Sequence, residues 1–461
     1  MDRGYEMSIL QKYTNEILIK KEYIIVSIIS LFIFIIGIQI TPGLTVDSLR
    51  YISVAEKIVT EGALYPIEVH SSSYASYATT ISPPLFEYLI SAFLLLGFEK
   101  LTAGGMVSLL FLALLPFPIY YLAKEVNNRK IGYLSILFMI SMVSTWYVGT
   151  YVWTEMTFTF LSLSSLYYCI KYININRTRN LLLCSIFCML SCLTRWFGII
   201  LGISIFLVFL YRHYTENRPS RVVLLLYSII SFSPVSILLL RNILFKRSVY
   251  PTSGLRVKFL DIFIVPIGSI LMDFFYPFYM YFYKLILLIY HNKISISSIN
   301  LNFNFIYSLA ILVSIILFIL LIRLIIKFID NYRSIKDKIL LCKRKIVILP
   351  VILYLVLYLL GLMFLKCISS FDPLGTRFLF PVYPLIIIIF FYLYNTMISC
   401  LYGIDKLQVK KCFFAFVILF LLFQSIRTSY LLIYQKDGKG YSSPEVKSFT
   451  TSNSFIFLKS N

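Results

Sequence analysis

Four side chains in this 461-residue sequence combine a reactive type with a telling position: Asp47, Glu155, Arg195 and Arg377. A carboxylate placed at a membrane face can take a proton from an attacking hydroxyl or amine. A guanidinium holds a phosphate through two parallel hydrogen bonds and stabilises charge as it leaves. Asp47 is the first acid after an apolar run, where an amphipathic segment begins. Glu155 follows Trp153 in a very short turn between two apolar runs, and Arg195 sits in Leu193-Thr194-Arg195-Trp196 between two thin ones. Arg377 closes Asp372-Pro373-Leu374-Gly375-Thr376-Arg377 at the start of a further run. The stretch 241–258 adds Arg241, Lys246, Arg247, Arg256 and Lys258 with no acid among them. Each of these has a plain structural reading as well. Asp47 caps a helix, Glu155 complements a helix dipole, Arg195 snorkels, and Arg377 pairs with Asp372 or anchors orientation.

The elements that must position these groups are read from composition. Hydrophobic residues make up 59% of the chain and charged residues 14%, against about 25% charged in a soluble domain. A soluble globular protein, a disordered chain and a nucleic-acid binder are excluded. Continuous apolar runs near 20 residues imply helices that cross a bilayer, and exclude the alternation of a β-barrel. The expected fold is therefore all-α: a polytopic integral membrane protein of about eleven transmembrane helices, with interfacial helices in its first outer loop. Spans are expected at Ile24–Ile40, Ala103–Leu122, Ile131–Gly149, Met156–Tyr172, Leu181–Leu193, Trp196–Tyr211, Val222–Leu240, Phe303–Ile326, Ile346–Leu365, Phe378–Ile398 and Cys412–Ile433.

The net charge of +21 reports orientation and contact with anionic lipid headgroups rather than nucleic acid. Lys and Arg cluster before the first span, and in 124–130, 171–179, 212–221, 323–345 and 406–411, on every second loop. The positive-inside rule then puts the N-terminus in the cytoplasm and the C-terminus outside, in the plasma membrane. Met1–Lys21 is too polar for a cleaved leader, so the first run reads as a retained span. Parity leaves Leu85–Phe98 as a helix on the outer interface and Ile262–Tyr290 as interfacial or re-entrant. Asp47–Gly62 reads as an amphipathic helix with Leu49, Ile52, Val59 and Leu64 near one side and Arg50, Lys57 and Glu61 elsewhere. The domain reading is one membrane module over 1–434, with outer loops 41–102 and 241–302, and a short extracytoplasmic tail over 435–461. Cys184, Cys188 and Cys192 share one helix face and read as packing residues.

Acids and rule-breaking cations thus fall together on the outer face, and they fit group transfer from a lipid phosphate. No phosphate-cradling glycine loop and no strong metal motif is present. At this point the sequence resembles the GT-C glycosyltransferases, nearest the branch of protein mannosyltransferases and lipid A aminoarabinose transferases. The stretches that carry it are Thr45-Val46-Asp47-Ser48-Leu49-Arg50-Tyr51, Ser82-Pro83-Pro84-Leu85-Phe86, Trp153-Thr154-Glu155-Met156, Leu193-Thr194-Arg195-Trp196-Phe197-Gly198, Leu240-Arg241-Asn242 and Arg377-Phe378-Leu379-Phe380-Pro381-Val382-Tyr383-Pro384.

The resemblance implies a sugar donor on a polyprenyl phosphate, a protein, lipid or glycan acceptor, membrane lipids as surroundings, and inversion at the sugar carbon. It implies Asp47 as catalytic base and Glu155 as the second acid, positioning the acceptor or holding a divalent metal; no other cofactor is expected. It puts Arg241 and Arg377 at the donor phosphate, where Arg195, Lys246 and Arg247 are further candidates. Two positions depart from the family pattern: Ser48 follows Asp47 where a second acid is common, and Ser82 precedes the Pro-Pro pair where His or Lys is common. The rival reading is a flippase or polymerase for lipid-linked glycans, which should carry its charges mid-span near broken helices. A structural membrane subunit is a third reading, but gives no reason for the basic 241–258 stretch.

Overall fold

The computed structural model describes residues 2–62, 68–71, 74–78, 83–216, 219–244, 270, 345–368, 376–400 and 405–436. The first half of the chain forms α1 (Asp2–Gly37), α2 (Val46–Glu61), a hairpin of β1 (Glu68–Ser71) and β2 (Tyr74–Ala78), then α3 (Leu85–Leu95) and α4 (Lys100–Leu114). There follow α5 (Pro116–Val126), α6 (Arg129–Ser141), α7 (Val143–Thr150), α8 (Thr154–Ile175), α9 (Thr178–Thr194), α10 (Gly198–Glu216) and α11 (Arg221–Leu244). The second half contributes α12 (Lys345–Ile368), α13 (Thr376–Leu379), a 3-10 turn (Phe380–Val382), α14 (Tyr383–Cys400) and α15 (Asp405–Lys436).

The chain is an integral membrane protein of all-α architecture. Among the described residues six helices are long and apolar enough to cross a membrane, or seven if α6 and α7, bent by 66°, form one broken span. The expected eleven included Met156–Tyr172 and Leu181–Leu193, which are α8 and α9. These helices form, but α8 is enclosed by protein and carries Thr157, Thr159, Ser162 and Ser165 fully buried. A helix surrounded by other helices can hold polar residues because its neighbours, not lipid, satisfy them. Ser162 meets Ser191 at 3.0 Å and Ser165 donates to the Cys184 carbonyl at 2.9 Å, both on α9. Cys184, Cys188 and Cys192 are buried on the face of α9 they were expected to share. The expected span Phe303–Ile326 and the expected segment Ile262–Tyr290 lie outside the described residues, apart from Ile270.

The two ends of the bundle separate the basic loops from the candidate site. At one end, Lys124 and Arg129 both pair with the buried Glu22 of α1, the latter at 2.6 Å. Asn174 there donates to Glu125 at 3.1 Å, and Asn395 of α14 to Asn127 at 3.4 Å. Helix α8 has 22 residues and rises about 1.5 Å per residue, so it carries Glu155 roughly 30 Å from that end.

The first loop is stapled to the α7–α8 turn. Gly43 N–H donates to the Thr150 carbonyl at 2.9 Å, and Val152 N–H to the Gly43 carbonyl at 3.1 Å. Helix α2 then starts with a capping box: the Ser48 N–H points to Thr45 Oγ1 and the Thr45 N–H donates to Ser48 Oγ at 3.0 Å. It stops at Gly62, whose φ of +63° suits glycine. Its buried residues are Ser48, Tyr51, Ile52, Val54 and Ala55. Of the expected apolar side, Ile52 is buried, Leu49 and Val59 are only partly buried, and Leu64 lies outside the described residues, so the buried face is rotated from the expected one. The cause is tertiary, since Ser48 Oγ donates to the Val152 carbonyl at 3.0 Å and turns that edge of the helix inward. Helix α3 packs on α2, with Phe86 and Ile90 buried and Leu95 at its end exposed.

The staple leaves no room for a side chain at Gly43. A Cβ there would stand 2.7 Å from the Tyr151 ring. Gly43→Ala is expected to cost about 1–3 kcal/mol, because the ring must shift in a packed site. It is checked as a lower unfolding temperature in detergent, and an unchanged temperature would mean that the staple contributes nothing.

Candidate active site

The turn that ends at α8 gathers the charged groups. Glu155 lies in the first turn of α8 with its side chain wholly buried, at 0% exposure. A buried carboxylate is costly unless it is paired. Its Oε1 takes two guanidiniums, Arg195 through Nη1 and Arg377 through Nε, the second at 2.6 Å. Its Oε2 faces the Thr154 hydroxyl at 3.4 Å, and Thr154 Oγ1 accepts from Arg195 at 3.3 Å. Arg195 occupies the extended residue that closes α9, and Arg377 lies on α13. The guanidinium of Arg377 also lies 4.6 Å over the Trp153 ring, a favourable cation–π position. Trp153 is held by its indole N–H, which donates to Thr45 Oγ1 at 2.9 Å.

Asp47 completes the cluster. It lies in the first turn of α2, where the helix dipole favours an anion. Its Oδ2 meets Arg377 Nη1 at 2.8 Å, so one guanidinium bridges Asp47 and Glu155. The Asp47 side chain is 40% exposed, and yet burial is the largest single influence on its acidity. The carboxylate is thus partly open while protein surrounds the rest of it. Burial alone would push its pKa up; the charges of Arg377, Arg50 and Arg195 outweigh that and hold it below the usual 3.8. Tyr51, one helical turn on, is pushed the other way, first by burial and then by the Asp47 charge.

Four of the candidates, Asp47, Glu155, Arg195 and Arg377, therefore meet. Arg241 stands on the last turn of α11, where its charge acts on Tyr88 of α3, opposing the upward push of burial on that phenol. The charges acting most on Asp47 are those of Arg377, Arg50 and Arg195, and on Glu155 those of Arg195 and Arg377. Lys246, Arg247, Ser82 and Asp372 lie outside the described residues. Arg50 was assigned to the polar side of its helix; in the structure its guanidinium lies 4.9 Å over Tyr51 and its charge reaches Asp47. The i, i+3 spacing from Asp47 was the signal that could have found it. Thr154 and Trp153 adjoin Glu155 in sequence, but a neutral hydroxyl and an indole carry no mark of a supporting role until their partners are seen.

Among the described residues no three His, Cys, Asp or Glu side chains form a metal-binding group. Glu155 is already engaged by two guanidiniums, which leaves Asp47 as the one open carboxylate of the cluster. A divalent ion held there would need most of its ligands from elsewhere.

The family described as dolichyl-phosphate-mannose-protein mannosyltransferase matches residues 82–238. Two structures of ArnT from Cupriavidus metallidurans share the fold. The one bound to undecaprenyl phosphate has a TM-score of 0.50 at 12% identity, covering 82% of this chain and 60% of that one. The apo form has a TM-score of 0.51 at 13% identity, covering 84% and 61%. The oligosaccharyltransferase AglB from Archaeoglobus fulgidus, in complex with an inhibitory peptide and a dolichol phosphate, gives a TM-score of 0.48 at 13% identity over 93% and 58%. The chain thus spans about 60% of the length of the ArnT structures. No curated protein sequence matches it.

Proposed function

Because the chain carries the GT-C membrane fold, we infer that it is a membrane glycosyltransferase that moves a sugar from a polyprenyl phosphate to an acceptor at the extracytoplasmic face of the plasma membrane. The observation that carries this reading is the bridge from Arg377 to Asp47 at 2.8 Å and to buried Glu155 at 2.6 Å. It joins a partly exposed base to a cation, which supports one site for both proton removal and a leaving phosphate. The acceptor is a hydroxyl or amine of a protein, lipid or glycan.

The acceptor heteroatom attacks the anomeric carbon as its proton passes to Asp47. The bond from that carbon to the phosphate oxygen breaks, and polyprenyl phosphate leaves with the electron pair. A single displacement of this kind inverts the sugar carbon. Arg377 and Arg195 hold the phosphate: a guanidinium has five N–H donors, and the pairs to Glu155 and Asp47 use only some of them. Glu155 keeps both cations oriented. Arg241 with Lys246 and Arg247 would draw the anionic donor towards the site. The alternative transport reading finds less support, since the clustered charges stand at the starts of α2, α8 and α13 rather than mid-span.

The test uses the full chain in lipid nanodiscs with a labelled polyprenyl-phosphate sugar and candidate acceptors. Release of polyprenyl phosphate with label on the acceptor is the expected result. Movement of the intact donor between leaflets with no bond broken would overturn it. Orientation is checked separately in intact cells. A thiol at exposed Val46 (Val46→Cys) should react with an impermeant maleimide from outside, and one at exposed Lys130 (Lys130→Cys) only after permeabilisation.

A further inference from the structure

One side chain near the charged cluster has no role in the chemistry above. From Ser144 to Thr159 every residue is buried except one, Tyr147 of α7, which is partly exposed. The Tyr147 ring lies 4.8 Å from that of Tyr151 and 5.4 Å from that of Trp153. Tyr151 and Trp153 are stacked at 4.5 Å, and Trp153 in turn carries the Arg377 guanidinium. Three rings thus form one compact cluster beside the cation, with Tyr151 and Trp153 buried and Tyr147 partly exposed. Tyr147 is near enough for the charge on Arg377 to be felt at its phenol. Its neighbours hold it still: Thr145 donates to the Met139 carbonyl at 2.6 Å and Trp146 to the Ile140 carbonyl at 2.8 Å across the α6–α7 bend.

We propose that Tyr147 is a specificity-determining residue that forms the face on which the donor's sugar ring lies. This rests on the glycosyltransferase reading. A sugar ring bonded to a phosphate at Arg377 begins one bond beyond that phosphate, and the ring cluster packs against the same cation through Trp153. The C–H face of a pyranose is slightly positive and lies well on the negative face of an aromatic ring. Tyr147 is the member of the cluster with surface to offer, and its fixed position costs little entropy on binding.

The test measures binding of dolichyl phosphate, bare or carrying mannose or glucose, to the full chain in nanodiscs. Wild-type protein should bind at least one sugar-bearing lipid more tightly than the bare lipid. Tyr147→Ala should weaken that binding by about three- to ten-fold, the worth of one aromatic face, and leave binding of bare dolichyl phosphate unchanged. Tyr147→Phe should keep both affinities. Equal loss for bare and sugar-bearing lipids in Tyr147→Ala would make Tyr147 a structural residue and overturn the proposal. So would equal wild-type affinity for all of them, or no change in Tyr147→Ala. Failure of the wild-type chain to bind any of the lipids would overturn the glycosyltransferase reading together with this proposal. Loss confined to the sugar contact would leave that reading intact.

Discussion

Asp47→Asn should lower sugar transfer by about 10²–10⁴-fold, the range expected when a general base is removed. The substitution keeps the shape of the side chain and a polar contact to Arg377, but it cannot accept the acceptor's proton. The Asp47 side chain is 40% exposed, and an ion pair so open to water contributes little to folding, so unfolding temperature should be nearly unchanged. Donor KM should also hold, because the loss is confined to the transition state. The measurement is steady-state transfer beside thermal unfolding of the same preparation. Transfer within a few-fold of wild type would remove Asp47 from the mechanism.

The pH profile carries the same argument in another form. Transfer needs ionised Asp47, whose pKa the guanidiniums hold below 3.8. The acid limb should therefore lie below the ordinary aspartate range, with activity present above it and lost as pH falls through it.

Arg377→Ala has the second large effect, and it strikes folding as well as turnover. Glu155, with no exposed surface, would keep only Arg195 and Thr154. Breaking a buried ion pair from one side costs about 3–5 kcal/mol, because the remaining charge is poorly compensated. Transfer should fall further than stability alone explains, since the phosphate loses its bridging cation. Arg377→Lys keeps the charge but cannot span Asp47 and Glu155 with separate nitrogens, so it should fold better than Arg377→Ala and still transfer poorly. In Arg377→Ala, where it folds, the acid limb should move up, because burial then acts on Asp47 against one fewer charge. Pairing Arg377→Ala with Glu155→Gln gives a decisive cycle. The double variant should be less destabilised than the sum of the two single ones, and strict additivity would mean that the two side chains are not coupled.

Much of the site was legible residue by residue. Asp47, Glu155, Arg195 and Arg377 each stood at the edge of an apolar run, and such an edge is where an ionisable group survives beside a bilayer. That α3 is a short helix rather than a full span agrees with the reading from parity. The face of α2 was not legible, because Ser48 is turned inward by a carbonyl 104 residues away. The hairpin β1–β2 also went unread, as short Ser- and Tyr-rich strands have too little apolar alternation to stand out.

By itself the sequence determined that the chain must live in a membrane and which residue types sit at the edges of its apolar runs. Local rules decide those matters, chiefly runs long enough to cross hydrocarbon; they did not place the breaks at Leu115 and Met142 or the cap at Thr45. Only the tertiary structure decided that Arg377 reaches Glu155, 222 residues earlier, that it reaches Asp47 as well, and that Tyr147 alone in its stretch stays partly exposed. Pairing between distant charges depends on which helices pack together, and apolar faces packed in a bilayer leave that choice nearly blank in the sequence, to be made by the few buried polar groups that must find one another.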